Sequence, residues 1–129
     1  MKEPKFRCET EKAIEELIVE LGLPENTQDW CWIAAKSDDI ETYITHYKTT
    51  SDEDKKFTLM EIIIQATTDQ TDEIKFLKYW EIVKSLLKDN FKIHEYSIFY
   101  WSCFENDNVE DCWDITPYMR QLWNEENGS

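Results

Sequence analysis

A chain of 129 residues with 28 acidic and 14 basic side chains has a formal charge of −14, which repels nucleic acid and anionic lipid and attracts basic proteins. A hydrophobic fraction of 41%, with six each of Trp, Tyr and Phe, can offset the cost of ordering the chain and excludes a disordered polyanion. Two glycines and three prolines are too few for turn-rich β architecture, and no apolar run approaches the length of a membrane span.

The opening MKEPKFRCETEK is charged and lacks the apolar stretch of a signal peptide, so a cytoplasmic location is expected. Residues 1–9 read as a loose lead-in. Thr10 caps a first helix whose buried face is Ile14, Leu17, Ile18 and Leu21, at the i, i+3, i+4, i+7 spacing. Gly22 suits the left-handed position that ends it, and Pro24 prevents its resumption. Thr27 is expected to cap a short second helix with Trp30, Ile33 and Ala34 on one stripe. Ser37 is expected to cap a third, with Ile40, Tyr43, Ile44 and Tyr47 inward and Asp38, Asp39 and Glu41 in its first turn.

Ser51 reads as the start of a fourth helix. Its Phe57, Leu59, Met60, Ile62, Ile63, Ile64 and Ala66 cover more than half the circumference, which marks the central, most buried element. A strand over LMEIII is the competing reading, and the surrounding helical period decides against it. After a polar loop at Thr67–Thr71, the longest helix is expected from about Asp72 to Asp89. Phe76, Tyr79, Trp80, Val83 and Leu87 form its face, widened by Ile74, Leu77 and Leu86. A sixth helix is expected from about Ile93 to Phe104, where YSIFYW also allows a strand. Thr116-Pro117 is a helix start, and the last helix presents Tyr118, Met119, Leu122 and Trp123 before a loose tail at 124–129. The predicted fold is one all-α domain over 1–129. It has about six or seven helices in antiparallel pairs, as an irregular bundle or a short α-solenoid.

Catalytic signatures are absent. Two glycines cannot build a phosphate loop, His46 and His94 each stand alone, and no Ser or Cys has the context of an activated nucleophile. The four cysteines, Cys8, Cys31, Cys103 and Cys112, form no CxxC pair and read as free, mostly buried thiols. No enzyme activity, no cofactor and no metal are expected.

Charge placement carries the functional signal. Acids at Asp38 and Asp39, and at Asp72 and Glu73, fall at helix starts, where the helix dipole favours them. The segment ENDNVEDCWDITPY differs. Glu105, Asp107, Glu110, Asp111 and Asp114 crowd together with no base among them, beside Trp113 and Tyr118. Like charges this close repel, so folding alone does not favour them. Aromatic anchors ringed by acids suit a protein interface with a basic partner. The candidate interface is therefore Glu105, Asp107, Glu110, Asp111, Trp113, Asp114 and Tyr118, with Asp38, Asp39, Asp72 and Glu73 as further acidic positions.

With DWCWIAAKSDDIETYI, FTLMEIIIQAT and EDCWDITPYMRQLW, this small acidic helical chain resembles the immunity proteins of bacterial toxin systems, such as contact-dependent growth inhibition. The resemblance implies a stoichiometric inhibitor of a cognate toxin domain, often a basic nuclease, in which acidic side chains replace nucleic-acid phosphates. It implies no direct contact with nucleic acid or membrane. Two other classes fit the same composition: a DNA mimic that occupies basic DNA-binding proteins, and an adaptor with a helical groove for peptides.

Overall fold

The computed structural model describes residues 3–128. Among them are seven α-helices and no strands: α1 (Glu11–Leu21), α2 (Trp30–Ala34), α3 (Ile40–Thr49), α4 (Glu53–Thr68), α5 (Glu73–Asp89), α6 (Phe91–Ser102) and α7 (Thr116–Glu126). Two 3-10 turns, Ser37–Asp39 and Val109–Asp111, precede α3 and α7. No helix among the described residues is long and apolar enough to cross a membrane. The chain groups into two compact units. One is Cys8–Gln70, and the other runs from Thr71 onward and includes the segment before Cys8.

In the Cys8–Gln70 unit, α4 is the hub against which α1, α2, α3 and the first 3-10 turn pack. Ten of its 16 residues are buried, so LMEIII is helical and sits where its β-branched side chains meet neighbours on every side. Asp52 caps α4, its carboxylate accepting the Lys55 N–H at 2.9 Å. Ser51, the expected cap, stays exposed, because a charged acceptor one residue later makes the stronger bond. At the other end the helix continues through Thr68. Thr67, expected in a loop, is buried and donates its hydroxyl to the Ile63 carbonyl at 2.8 Å.

The remaining starts in this unit are set by tertiary contacts. Thr10 caps α1 as expected, accepting from Ala13 N–H at 3.1 Å, and Gly22 ends it at φ 65°. Thr27 does not cap α2. The chain enters at Asp29 in the left-handed region, and the Trp30 indole N–H donates to the Pro24 carbonyl at 2.8 Å. Trp30 and Ala34 point inward, whereas Ile33 is 43% and Trp32 65% exposed, so Ile33 is not part of the buried stripe. Ser37 opens the 3-10 turn and caps nothing. Instead the buried Tyr43 hydroxyl accepts the Lys36 N–H at 3.1 Å and donates to the Ala34 carbonyl at 2.9 Å, binding the end of α2 to α3. Burial raises the pKa of this phenol.

Glu20 of α1 bridges two helices: it pairs with His46 of α3 at 2.7 Å and with Lys55 of α4. The hydrogen bond from Lys55 holds the Glu20 carboxyl below 4.5 and raises the ammonium above 10.5. The bridge is therefore intact between those values. It is lost as pH falls below 4.5 through the folded Glu20 value, and again as pH rises above 10.5 through that of Lys55. Both side chains are partly exposed, so screening limits the gain. Glu20→Gln is expected to destabilise by about 0.5 kcal/mol at neutral pH and to flatten the acid limb of a Tm–pH profile.

In the unit from Thr71 onward, α6 packs on both α5 and α7. Asp72 caps α5, the longest helix, by accepting from Lys75 N–H at 3.1 Å. Its predicted face is buried, but Ile74 is 81% exposed and Leu77 also faces out, so neither widens it. YSIFYW is helical within α6, with Ile98 and Trp101 in the core. Asn124–Glu126, expected to be loose, form the last turn of α7. Ahead of Cys8, the Phe6 ring meets Tyr96 edge-on at 5.1 Å.

Candidate functional site

The acidic segment hangs between the end of α6 and the start of α7. Helix α6 stops because Cys103 adopts the left-handed conformation at φ 53°. That stop leaves carbonyls at the negative end of a helix without intrahelical donors. Side chains of α7 take them. The buried Thr116 hydroxyl donates to the Trp101 carbonyl at 2.9 Å. The Arg120 guanidinium donates through Nε to Ser102 O at 2.6 Å, and through Nη2 to Cys103 O at 2.8 Å and Asn106 O at 3.0 Å. It also lies over the Phe104 ring at 5.5 Å. Thr116 is therefore occupied, and Ile115 holds the N-cap position of α7 in its place.

The loop's own turns are made by its asparagines. Asn106 Oδ1 accepts the Asn108 N–H at 3.0 Å, and Asn108 Oδ1 accepts the Glu110 N–H at 3.1 Å, opening the Val109–Asp111 turn. The carboxylates are left over. Glu105, Asp107, Glu110, Asp111 and Asp114 are all exposed, and none of them is in an ion pair among the described residues. Glu105 alone has a side-chain contact, a weak one from the Cys103 thiol at 3.7 Å. The neighbouring cation, Arg120, directs its donors to backbone carbonyls and pairs with none of these carboxylates, and its single charge leaves the loop net negative.

The aromatic side chains divide. Met119 and Trp123 of α7 are buried, Trp123 against Phe99 at 5.4 Å. Trp113 is half-buried, packed on Trp101 at 4.4 Å and Tyr100 at 5.5 Å. Tyr118 is half-buried between Phe76 at 5.4 Å and Trp80 at 5.8 Å. Phe76 is one turn into α5, which places the N-terminal Asp72 and Glu73 of that helix a turn away from the Tyr118 contact. Asp72 is committed to capping, while Glu73 is exposed. Asp38 and Asp39 lie in the other unit, exposed in its 3-10 turn.

Two site residues escape the sequence reading. Tyr100, which the sequence places on the sixth helix without singling it out, is 48% exposed beside Trp113. A tyrosine one turn from Tyr96 in an otherwise apolar run is the signal for an edge position. Arg120 carries no sequence signal, because its partners are carbonyls 14–18 residues away. Cysteine placement also departs from expectation: only Cys103 is buried, Cys31 and Cys112 are half-buried and Cys8 is exposed.

A concavity of about 420 Å³ opens on the Cys8–Gln70 unit between Leu21, Thr42, Thr45, His46 and Thr49. Its one imidazole is held by Glu20, which Lys55 shares, so this pair serves as a bridge between helices. Comparison with family models, curated proteins and solved structures finds no match to this chain.

Proposed function

We propose that the chain is a binding protein that covers a basic domain of a partner, in the manner of an immunity protein neutralising a cognate nuclease toxin. The observation that carries this reading is the division of labour in the 103–118 segment. Asparagines and Arg120 fix the backbone, and five carboxylates of the segment that carries Trp113 and Tyr118 remain exposed and in no ion pair among the described residues. A fixed loop presents charges without a large ordering cost on binding. The half-buried rings supply desolvated contact area at the centre, and the carboxylates steer encounter and reject acidic partners. Close charge pairs between a bacterial ribonuclease and its protein inhibitor couple by roughly 1.5–7 kcal/mol, so a few such pairs suffice for tight inhibition. A DNA mimic shares the chemistry but needs carboxylates at phosphate-like intervals along an extended face, and the acids of 105–114 form a single cluster.

The test is capture from the native host with the wild-type chain and with Asp111→Lys/Asp114→Lys as parallel baits. The expected result is one protein with a basic domain, recovered in equal stoichiometry by the wild type and lost from the double variant. Equal recovery by both baits would contradict the proposal, and recovery of many unrelated DNA-binding proteins would favour the mimic.

A further inference from the structure

We propose that the cavity between the end of α1 and the turn before α3 binds a free α-amino acid with an aliphatic side chain. The cavity, of about 250 Å³, lies within the Cys8–Gln70 unit and includes no residue of the acidic segment. Buried Ala34 and Tyr43 line it, and Leu21, Leu23 and Pro24 add apolar surface. Lys36 and Asp39 bring opposite charges to the same space. Both are exposed, and neither side chain is in an ion pair or a hydrogen bond among the described residues. The backbone holds the two positions together. Asp39 N–H donates to the Lys36 carbonyl at 3.0 Å, and Lys36 N–H donates to the Tyr43 hydroxyl at 3.1 Å. Gln70 Nε2 donates to the Ser37 carbonyl between them at 2.9 Å. The turn is thus fixed before a ligand arrives, which limits the ordering cost of binding.

Charge sets the ligand class. A simple anion would be repelled by Asp39 and a simple cation by Lys36, whereas a zwitterion pairs with both. The two side chains belong to one short turn, so the ligand's charges must be close neighbours. An α-amino acid carries both on a single carbon. The N-terminus of a peptide lacks the carboxylate, and the C-terminus lacks the ammonium. The ammonium is expected at Asp39 and at the negative end of α1, whose Leu21 and the following Gly22 line the cavity. The carboxylate is expected at Lys36, and Leu21, Leu23 and Pro24 cover the aliphatic side chain. Small-molecule sites combine apolar lining with a few placed polar groups in this way. A volume just below the roughly 300–1,000 Å³ of sites for drug-sized ligands suits so small a molecule.

The experiment titrates the full chain with L-leucine and follows amide 15N–1H shifts, in about 0.15 M salt, where screening to about 8 Å suppresses non-specific attraction of cations. The expected result is saturable shifts at Leu21–Leu23 and Lys36–Tyr43. Leucinamide, which lacks the carboxylate, and 4-methylpentanoate, which lacks the ammonium, should each bind about tenfold more weakly or worse. Lys36→Met and Asp39→Asn should weaken leucine binding by a similar factor; both side chains are exposed and make no bond, so the fold should survive. Three results would each overturn the proposal: no saturable shift at these residues, leucinamide or 4-methylpentanoate binding as well as leucine, or leucine binding unchanged in both variants. The readout lies in residues 21–43 and does not depend on what the acidic loop binds.

Discussion

Arg120→Ala is expected to destabilise the unit from Thr71 onward by about 2–4 kcal/mol, since hydrogen bonds to a charged donor contribute about 1.5–3 kcal/mol and several are lost together. The variant removes every donor that α7 presents to Ser102, Cys103 and Asn106, together with the stack on Phe104. Three part-buried carbonyls then need water, and the loop loses its tie to a rigid helix. Arg120→Lys separates fork from charge. Lysine keeps the cation but cannot reach three carbonyls from one planar group, so most of the loss is expected to remain. Thermal unfolding with hydrogen exchange of residues 103–115 reads both effects. Full stability in the lysine variant would mean that charge alone holds the loop.

Trp113→Ala is expected to weaken the complex with the captured partner by about 2–3 kcal/mol, roughly 30–150-fold in Kd. Trp113 is braced from behind by Trp101 and Tyr100, so its ring is held in place before binding. Aromatic side chains held in this way dominate interfaces because little rotamer freedom remains to be lost. Trp113→Phe keeps an aromatic ring on Trp101 and should recover most of the affinity. Titration calorimetry on both variants, with circular dichroism to verify the helices, checks the result. A change below about threefold for Trp113→Ala would remove this ring from the interface.

Most of the helical architecture is legible in the residue pattern, because burial on a helix repeats every 3.6 residues whatever lies opposite. Leu17, Ile40, Tyr43, Ile44 and Tyr47 in one unit, and Phe76, Tyr79, Trp80, Val83 and Leu87 in the other, are buried as spaced. Boundaries are less legible where several residues could cap. Ser51 and Asp52 are adjacent candidates, and only the Lys55 N–H distinguishes them. Likewise Thr116 looks like a cap until the Trp101 carbonyl claims its hydroxyl. Ile33, Ile74 and Leu77 are apolar by composition and exposed in fact, which helical spacing alone does not reveal.

The acidic segment stands out in the sequence as a compositional anomaly, and its exposure follows from its charge. The reason the carboxylates stay unpaired is not legible there. Asp107 is as able as Asn106 and Asn108 to make such a turn, and only the local bonds assign that work to the amides. Asp72 illustrates the converse. It looks like an interface acid and is used as a cap.

The most direct measurement of whether the 105–114 carboxylates meet a cationic counterpart is the association rate constant with the captured partner, for wild type and Asp111→Lys/Asp114→Lys, across salt. Both side chains are exposed, so the fold should survive the reversal. Raising salt from about 0.01 M to about 1 M shortens the screening length from roughly 30 to 3 Å. The wild-type rate should fall steeply over that range, and the variant should start about 10–100-fold slower with a much flatter slope. Identical rates and identical slopes for the two chains would contradict the account.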